Sequence, residues 1–331
     1  MAHAMKDHIA VIGAGAWGTA LAIQADRAGQ SVMLWARDSA RAALMAQSRA
    51  NERLLPGVPL PPGITVTANA TQALQDAALI LLVVPAQALR PVLQSLPTLS
   101  APVLICAKGV EAGSLMLPLE VLAEIHPGIS AGVLSGPNFA HEIARGLPAA
   151  AVVASADSGL RALGVTRLGS PGFRLYGGDD PVGAEIGGAA KNVIAIAAGA
   201  VMGAGLGENA RAALITRGLA EISRLAVALG GRADTVAGLS GLGDLLPTAT
   251  GPGSRNTSLG MALGRGENLT DILGARQGVT EGVATAPALV ARAARLGVEI
   301  PICAAVAELV SGRLTVREAV AQLLSRPSRA E

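Results

Sequence analysis

Two hydrophobic patterns divide the chain near residue 179. From Ile9 to about Tyr176, short apolar runs alternate with amphipathic helical segments, which is typical of a parallel sheet covered by helices on both faces. After the turn at 177–180 the apolar spacing becomes helical, with glycines between the segments. The pattern predicts an α/β fold, with a mainly parallel sheet domain over 1–179 and an all-helical C-terminal domain over 180–331.

Eight apolar runs in the first domain are predicted strands. Several are apolar at every position, as strands buried on both faces should be. The predicted strands are His8–Ile12, Ser31–Trp35, Ile64–Ala68, Leu79–Val84, Val103–Ala107, Gly132–Leu134, Ala150–Ala154 and Phe173–Tyr176.

One apolar stretch of the second domain, 192–207, raises the question of a membrane span. A span needs about 20 apolar residues, and this stretch is shorter and is bracketed by Lys191 and Glu208. We expect a helix buried in protein and no stable membrane insertion. The N-terminus lacks the features of a signal peptide, and Cys106 and Cys303 are too few for a disulfide framework. A cytoplasmic location is therefore predicted.

Length and charge narrow the function. A chain of 331 residues with 51% hydrophobic composition exceeds the size at which one core usually divides, which agrees with two domains. The formal net charge is +2, with 26 basic against 24 acidic residues and no long basic run. Nucleic acid is therefore not an expected partner. A small-molecule substrate is expected instead, and the sequence leaves the oligomeric state open, a homodimer included.

A glycine-rich turn follows the first predicted strand. The segment 13–18 reads Gly-x-Gly-x-x-Gly and opens a predicted helix, and the strand at 31–35 completes a βαβ unit. Gly13 permits the tight turn, Gly15 lets backbone amides approach a pyrophosphate, and Gly18 allows close helix packing. The context favours a Rossmann-type dinucleotide site over a glycine turn without a ligand.

The end of the second predicted strand bears on the cofactor. Arg37 stands where NAD-specific enzymes usually place a carboxylate for the ribose hydroxyls, and a cation there favours the 2′-phosphate of NADP. Asp38 is adjacent and would favour NAD, and a solvated surface arginine is a further alternative. The sequence predicts NADP or NAD as cofactor, with NADP favoured.

Segments along nearly the whole chain resemble the bacterial NAD(P)-dependent glycerol-3-phosphate dehydrogenases, and they occur in that family's order. The later ones are specific to the family rather than to dinucleotide-binding proteins in general. The resembling segments are Gly13–Ala20, Leu82–Pro85, Ala107–Gly109, Leu134–Ala140, Gly187–Asn192, Asn209–Gly218, Gly241–Leu245 and Ser254–Asn256.

The resemblance implies a catalytic role for Lys191, which would accept the alcohol proton in oxidation and return it in ketone reduction. Its apolar neighbours on both sides predict a desolvated amine with a lowered pKa, suited to acid/base work. The resemblance also implies that Lys108 contacts substrate and cofactor, and that Asp244 contacts substrate and holds Lys191. The alternatives are surface lysines and, for Asp244, a helix N-cap.

A phosphate site is expected where Ser254, Arg255 and Asn256 precede a helical pattern. Hydroxyl, guanidinium, amide and free backbone N–H groups can converge there on one dianion. The alternative is an ordinary capped helix with an exposed arginine.

The resemblance assigns two further sets of residues. It implies that Gly136 and Asn138 line the substrate. Asn138 departs from the Thr or Ser that is commoner in the family, and Ala16 replaces a common Ser. The residues implied to line the cofactor, besides Lys108 and Arg255, are Ala16, Trp17, Ala140, Val279 and Glu281.

No metal is required by this chemistry. His3, His8, His126 and His141 show no metal-ligand spacing, and the acidic residues form no clustered ligand pattern.

The leading hypothesis is therefore a two-domain enzyme with its site in the cleft between the domains. The resemblance implies that it forms sn-glycerol 3-phosphate for glycerophospholipid synthesis. A dehydrogenase of β-hydroxyacids would share the glycine turn and a central lysine, but the Ser254–Asn256 segment argues against it. A non-catalytic nucleotide sensor is the alternative of another class, and it has no need to keep Lys108, Lys191 and Asp244 together.

Overall fold

The computed structural model of the chain describes residues 8–251, 253–276 and 278–327. Two compact units are present. The first comprises the chain up to Ala107 together with Pro118–Pro181, and the second comprises Lys108–Leu117 and the chain from Val182 onward. The segment Lys108–Leu117 thus belongs with the helical unit although the sheet unit surrounds it in sequence. The functional border between residues 179 and 180 stays a prediction.

The first unit is built on an eight-stranded sheet of order β10-β9-β8-β7-β6-β1-β2-β5. Its pairs are parallel except β8 with β9, which is antiparallel. A separate antiparallel pair, β3 with β4, lies outside this sheet. The strands are β1 (His8–Ile12), β2 (Ser31–Trp35), β3 (Ala50–Asn51), β4 (Leu55–Pro59), β5 (Ile64–Thr67), β6 (Ala77–Leu82), β7 (Val103–Ile105), β8 (Ala131–Ser135), β9 (Ala149–Ala154) and β10 (Phe173–Gly178).

The order of the sheet locates its ligand edge. The chain runs from β1 outward to β2 and β5, and then returns to place β6 on the other side of β1. In open sheets of this kind, ligands bind beyond the carboxyl ends of the strands where the order reverses. All eight predicted strands of the sheet are confirmed, and the predicted α/β class with them.

Seven helices complete the sheet unit. Those that start at Ser39 and Ser158 are capped by aspartates, because Asp38 accepts from the Arg41 N–H and Asp157 from the Gly159 N–H. The helices are α1 (Ala16–Arg27), α2 (Ser39–Ser48), α3 (Ala70–Leu74), α4 (Ala86–Ser95), α5 (Pro118–Ile125), α6 (Ala140–Arg145) and α7 (Ser158–Leu168).

Beyond Gly178 the described residues contain helices and loops but no strand, as predicted. A π-helical turn, Leu239–Gly243, precedes α11. The helices are α8 (Pro181–Gly203), α9 (Glu208–Ala228), α10 (Ala233–Ala237), α11 (Asp244–Thr250), α12 (Arg255–Gly264), α13 (Leu269–Gly274), α14 (Glu281–Arg295), α15 (Pro301–Val310) and α16 (Val316–Leu324).

Helix α8 forms the centre of the helical unit. It is long and apolar enough to cross a membrane, but 89% of its apolar window is buried within the structure. Glycines let α12 cross it closely: a Cβ at Gly199 would lie 2.1 Å from the Thr257 carbonyl oxygen, and one at Gly260 would lie 2.0 Å from that of Ile196. This contact brings the start of α12 against the middle of α8, where Lys191 and Asn192 lie.

Both cysteines are free and buried. Cys303 lies in α15, and burial raises the pKa of its thiol well above the ordinary value. Two free thiols agree with the expectation that the cysteines form no disulfide framework.

Candidate functional site

The centre of the candidate site is the amine of Lys191, in the middle of α8. The residue is only 7% exposed. Its Nζ donates a hydrogen bond to Asp244 Oδ1 and another, of 3.0 Å, to Thr248 Oγ1. A surface lysine that extends into solvent is therefore not what the structure shows.

The surroundings of Lys191 change its acidity. Its pKa falls from 10.5 to about 8, chiefly because burial disfavours the charged form, and the charge of Lys108 acts in the same direction. The carboxylate of Asp244 opposes both effects. An amine with a pKa near 8 can give up and take back a proton close to neutral pH, as acid/base catalysis requires.

Lys108 shares the same carboxylate. Its Nζ donates to Asp244 Oδ2 at 2.6 Å, so each oxygen of Asp244 holds one lysine. Lys108 follows the end of β7 by three residues, and its segment groups with the helical unit. The sequence contains only three lysines, and two of them meet here.

The turn that precedes Asp244 determines the position of this residue. Helix α11 starts at Asp244, and no side chain caps its N-terminus, so the N-cap alternative for Asp244 is not what the structure shows. The preceding turn is tight, since a Cβ at Gly241 would lie 1.9 Å from the Val236 carbonyl oxygen. Asp244 is 2% exposed, and the two lysines compensate its buried charge.

Thr248 belongs to the site although the sequence reasoning missed it. Its hydroxyl accepts from Lys191 and donates to the Asp244 carbonyl oxygen at 2.6 Å. Residues four apart on a helix share a face, so the spacing from Asp244 to Thr248 was the signal that could have identified it.

A chain of amide hydrogen bonds connects the lysines to helix α12. Asn192 Nδ2 donates to the Lys108 carbonyl oxygen at 3.1 Å, and Asn256 Nδ2 donates to Asn192 Oδ1 at 2.9 Å. Asn256 Oδ1 in turn accepts from the Gly282 N–H at 3.1 Å. Asn192 thus fixes the backbone that carries Lys108. The sequence placed Asn192 in the resembling segment Gly187–Asn192 but predicted no role for its side chain.

The start of α12 gathers the residues expected to bind phosphate. Ser254 is buried and caps the helix, accepting from the Thr257 N–H at 3.2 Å. Arg255 is exposed, and Gly278 makes room for its guanidinium, since a Cβ there would lie 2.7 Å from Arg255 Nη1. Arg276, a second basic residue, donates to the Arg255 carbonyl oxygen at 2.8 Å. The helix end thus offers positive charge to an anion, and phosphate binding by Ser254, Arg255 and Asn256 stays a prediction.

Two residues expected at the cofactor lie just beyond Gly278. Val279 is 47% exposed, and Glu281 is the first residue of α14. Both are close in sequence to the glycine on which the Arg255 side chain rests.

In the sheet unit, the glycine turn has the geometry that a dinucleotide needs. Gly13 has φ +118°, and a Cβ there would lie 2.3 Å from the Val83 carbonyl oxygen. A Cβ at Gly18 would lie 1.8 Å from the Gly13 carbonyl oxygen, which explains why α1 can start so close to β1. Apart from Gly15 itself and its two chain neighbours, no atom of the described residues lies within 4 Å of the Gly15 Cβ position, and none of their side chains caps α1. Open space at an uncapped helix N-terminus fits a bound pyrophosphate.

The remaining cofactor residues of the sheet unit lie around this edge. Ala16 and Trp17 form the first turn of α1. Arg37 is exposed just after β2, whereas the Asp38 carboxylate is engaged by the start of α2 through a 2.9 Å hydrogen bond from the Arg41 N–H. This engagement weakens the case for Asp38 as a ribose ligand.

The residues expected at the end of β8 also show unusual features. Gly136 has φ +146°, and a Cβ there would lie 2.9 Å from the Ala151 Cα. Both amide atoms of Asn138 are buried without a hydrogen-bond partner among the described residues, and so is Trp17 Nε1. Buried polar groups normally have partners, so these atoms fit ligand contacts. Ala140 starts the next helix, α6.

The structure therefore assembles the predicted residues in two sets. The helical unit joins Lys108, Lys191 and Asp244 directly and links them to Asn256 through Asn192. The sheet unit gathers the glycine turn, Arg37 and the residues after β8 at the carboxyl ends of its strands. Among the described residues no group of His, Cys, Asp and Glu has the arrangement of a metal site.

Comparisons with known proteins agree with this geometry. The sequence models of the NAD-dependent glycerol-3-phosphate dehydrogenase N-terminus and C-terminus match residues 8–160 and 180–321. The chain is 55% identical to the glycerol-3-phosphate dehydrogenase (NAD(P)+) of Rhodospirillum rubrum, over 98% of this chain and 94% of the relative. It is also 55% identical to the enzyme of the same name from Acidiphilium cryptum, over 97% and 98%.

A solved structure gives the same result. The crystal structure of glycerol-3-phosphate dehydrogenase from Coxiella burnetii superposes with a TM-score of 0.93 at 38% identity, covering 97% of this chain and all of that one. With matches of this extent in sequence and structure, the chain belongs to the NAD(P)+-dependent glycerol-3-phosphate dehydrogenase family.

Proposed function

We propose that the chain catalyses reversible hydride transfer between NAD(P)H and dihydroxyacetone phosphate, giving sn-glycerol 3-phosphate. Family membership supports the reaction. The observation that carries the residue-level proposal is the buried Lys191 amine, with a pKa of about 8, held by Asp244 and Thr248.

The nicotinamide, when bound, supplies the hydride to the ketone carbon. Lys191 donates its ammonium proton to the ketone oxygen, which becomes the hydroxyl of the product. In the oxidation direction the neutral Lys191 amine accepts that proton again.

The second lysine has a role in this proton transfer. When Lys191 becomes neutral, Asp244 still holds the ammonium of Lys108 at 2.6 Å. The buried carboxylate therefore always has a cationic partner. A buried carboxylate without one would cost several kcal/mol, on the order of a broken buried ion pair. We assign Lys108 and Asp244 to substrate contact and to the electrostatic support of Lys191.

The start of α12 is the proposed phosphate site. The Arg255 guanidinium and the N-terminal N–H groups of the helix would bind the dianion, with Ser254 and Asn256 beside them. The unpartnered amide of Asn138 and the backbone at Gly136 are proposed to contact the glycerol part of the substrate.

Family membership supports use of NAD or NADP. We favour NADP, because Arg37 is exposed where the 2′-phosphate is expected while Asp38 is engaged as a helix cap. Ala16, Trp17, Ala140, Val279 and Glu281 complete the proposed cofactor site, together with Lys108 and Arg255.

The biological setting is also part of the proposal. The product would supply glycerophospholipid synthesis in the cytoplasm, by a protein that associates as a homodimer and neither inserts stably into a membrane nor binds nucleic acid.

A direct assay tests the function. Purified protein is mixed with dihydroxyacetone phosphate and either NADPH or NADH, and oxidation of the nicotinamide is followed by absorbance. We expect turnover with the phosphorylated ketone and none with a β-ketoacid, which would be the substrate if the chain were a β-hydroxyacid dehydrogenase. No consumption of either cofactor would overturn the proposal and favour a nucleotide sensor.

A further inference from the structure

A buried asparagine outside the glycine motif donates hydrogen bonds to the glycine turn and the helix that follows it. Asn51, at the end of β3, is only 2% exposed. Its Nδ2 donates to the Ala14 carbonyl oxygen at 3.1 Å and to Thr19 Oγ1 at 2.7 Å. It thus reaches the centre of the turn from a strand outside the main sheet.

Two further side chains complete this contact. Arg41 of α2 donates to the same Ala14 carbonyl oxygen and, at 3.2 Å, to Asn51 Oδ1. Thr19, which is fully buried, donates from its hydroxyl to the Gly15 carbonyl oxygen at 2.8 Å. The Ala14 carbonyl is therefore held by side-chain donors, whereas the Gly15 carbonyl accepts from the Thr19 hydroxyl and also, at 2.9 Å, from the Thr19 N–H of the helix backbone.

Holding these carbonyls fixes the N–H groups that follow them. In a trans peptide the C=O and the next N–H point in opposite directions within one plane. The donors on the Ala14 oxygen therefore turn the Gly15 N–H away from Asn51 and Arg41, and the two Thr19 donors on the Gly15 oxygen turn the Ala16 N–H away from Thr19. These are the N–H groups that a diphosphate at the start of α1 would accept from.

The turn needs such support because glycine is conformationally free. Gly15 has no Cβ to restrict it, and beyond its two chain neighbours no described residue lies within 4 Å of the Cβ position. A peptide plane that flips in the free protein must be reordered when the ligand binds, which weakens binding. Side-chain donors that hold the plane beforehand remove that cost.

The charge of Arg41 also favours diphosphate binding at the turn. The guanidinium of Arg41 lies beside the turn, and burial together with the charge of Arg53 lowers its pKa. Asp38 opposes this shift. The cation that holds the Ala14 carbonyl thus also adds positive potential where an anion is expected.

We propose that Asn51, acting with Thr19 and Arg41, is a positioning residue that sets the Gly15 and Ala16 peptide planes for the cofactor diphosphate. The inference rests on the proposed function, since it concerns the same dinucleotide. It predicts an effect on NADH and NADPH alike, because the two share the diphosphate and differ only at the 2′ position.

The first test replaces Asn51 by leucine, which has a similar shape but no donor. The dissociation constants of NADH and NADPH are measured by nicotinamide fluorescence, alongside kcat, both KM values and Tm. We expect both dissociation constants and the cofactor KM to rise about tenfold, the value of one lost hydrogen bond of about 1.4 kcal/mol. The NADPH to NADH ratio, kcat at saturation and the KM for dihydroxyacetone phosphate should stay unchanged.

A matched pair at Thr19 covers the case in which the leucine variant does not fold. Thr19→Ser keeps the hydroxyl that bonds to Gly15 and should bind cofactor nearly as the wild type does. Thr19→Val keeps the shape but loses the hydroxyl, both as donor to Gly15 and as acceptor from Asn51, and should weaken binding of both cofactors in equal proportion. Asn69→Ala is the control, because Asn69 caps α3 through the Gln72 N–H and does not touch the turn.

Two results would overturn the inference alone. One is wild-type affinity for both cofactors in Asn51→Leu and Thr19→Val. The other is a fall in Tm and kcat with no change in cofactor dissociation constants, which would indicate a structural role. A wild-type protein that binds neither NADH nor NADPH would instead overturn the proposed function, and this inference with it.

Discussion

The cofactor turn and the lysine cluster are built in opposite ways. In the turn at 13–18, three glycines leave open the space that side chains would otherwise occupy. The cluster of Lys108, Lys191, Asp244 and Thr248 depends on side chains that are present, with two cations on one buried carboxylate. The cofactor turn thus depends on the absence of side chains, and the lysine cluster depends on buried charged groups.

The two designs also differ in how the sequence encodes them. Six consecutive residues define the turn, so a local motif reveals it. The lysine cluster joins residues 53 and 136 positions apart, Lys191 and Lys108 each with Asp244, which only the fold brings together. A loss of charge should therefore disable the cluster without unfolding the chain, whereas an added methyl group should damage the turn.

The largest effect is expected from Lys191→Met, which keeps the bulk of the side chain and removes the amine. We expect kcat to fall by about 10²- to 10⁴-fold, the usual contribution of a general acid/base. Lys191→Arg should be equally inactive, because a guanidinium keeps its proton at working pH. Cofactor affinity by fluorescence is the control and should not change. Appreciable activity in Lys191→Arg would show that charge alone, rather than proton transfer, is what the site needs.

The second prediction adds one methyl group at two positions of the turn. Gly18→Ala places a Cβ 1.8 Å from the Gly13 carbonyl oxygen, so we expect a loss of about 1–3 kcal/mol in stability, visible as a lower Tm. Gly15→Ala meets no neighbour within 4 Å, so its Tm should stay close to wild type while cofactor affinity falls, because the methyl group occupies the ligand's space. Equal Tm values for the two variants would contradict this account of the turn.

This contrast explains how far the sequence alone could lead. The sheet strands, the glycine turn and the all-helical second unit follow from local spacing, and each appears where predicted. The antiparallel pairing of β8 with β9 does not follow from local spacing, because the direction of pairing depends on how the whole sheet is arranged. The small β3–β4 pair was not predicted either, because β4 has the sequence Leu-Pro-Gly-Val-Pro, and Pro and Gly are not typical of strands.

The residues of the candidate site likewise differ in whether the sequence alone could predict their roles. The predicted pairing of Lys191 with Asp244 is present, although it came from a family resemblance rather than from spacing. The spacing of four residues places Thr248 on the same helix face as Asp244, but that its hydroxyl accepts from Lys191 needed coordinates. The role of Asn192 needed them too, since nothing local distinguishes its hydrogen bond from those of other polar residues in helices. The engagement of Asp38 as a helix cap likewise emerges only when α2 is seen to start at Ser39.

The third prediction concerns pH. Because the pKa of Lys191 is lowered to about 8, ketone reduction needs its protonated form and should slow above pH 8, whereas alcohol oxidation should rise as pH increases through 8. Above the pKa of Lys191 the reduction rate should fall about tenfold per pH unit, and below it the oxidation rate should fall about tenfold per pH unit and level off above it. Turnover measured in both directions across this range checks the sign.

The same pKa can be measured without turnover. The chain has only three lysines, so reductive methylation with ¹³C gives a few resolved amine signals for an NMR titration. Lys191→Met identifies the signal of Lys191. A midpoint near the ordinary value of 10.5 would mean that burial does not tune this amine as the structure indicates.

The smallest effect is expected at the edge of the cofactor site, where Arg37 is exposed and screening by solvent is strong. Arg37→Ala should weaken NADPH binding by about 1–2 kcal/mol, or roughly five- to thirtyfold, because a charge-assisted bond to the 2′-phosphate is lost. NADH lacks that phosphate, so its affinity should stay the same, and the measured quantity is the ratio of the two dissociation constants. Arg174→Ala, another exposed arginine of the sheet unit, should leave the ratio unchanged. An unaltered ratio in Arg37→Ala would make Arg37 an ordinary solvated side chain, and cofactor preference would then have to be sought elsewhere along the edge.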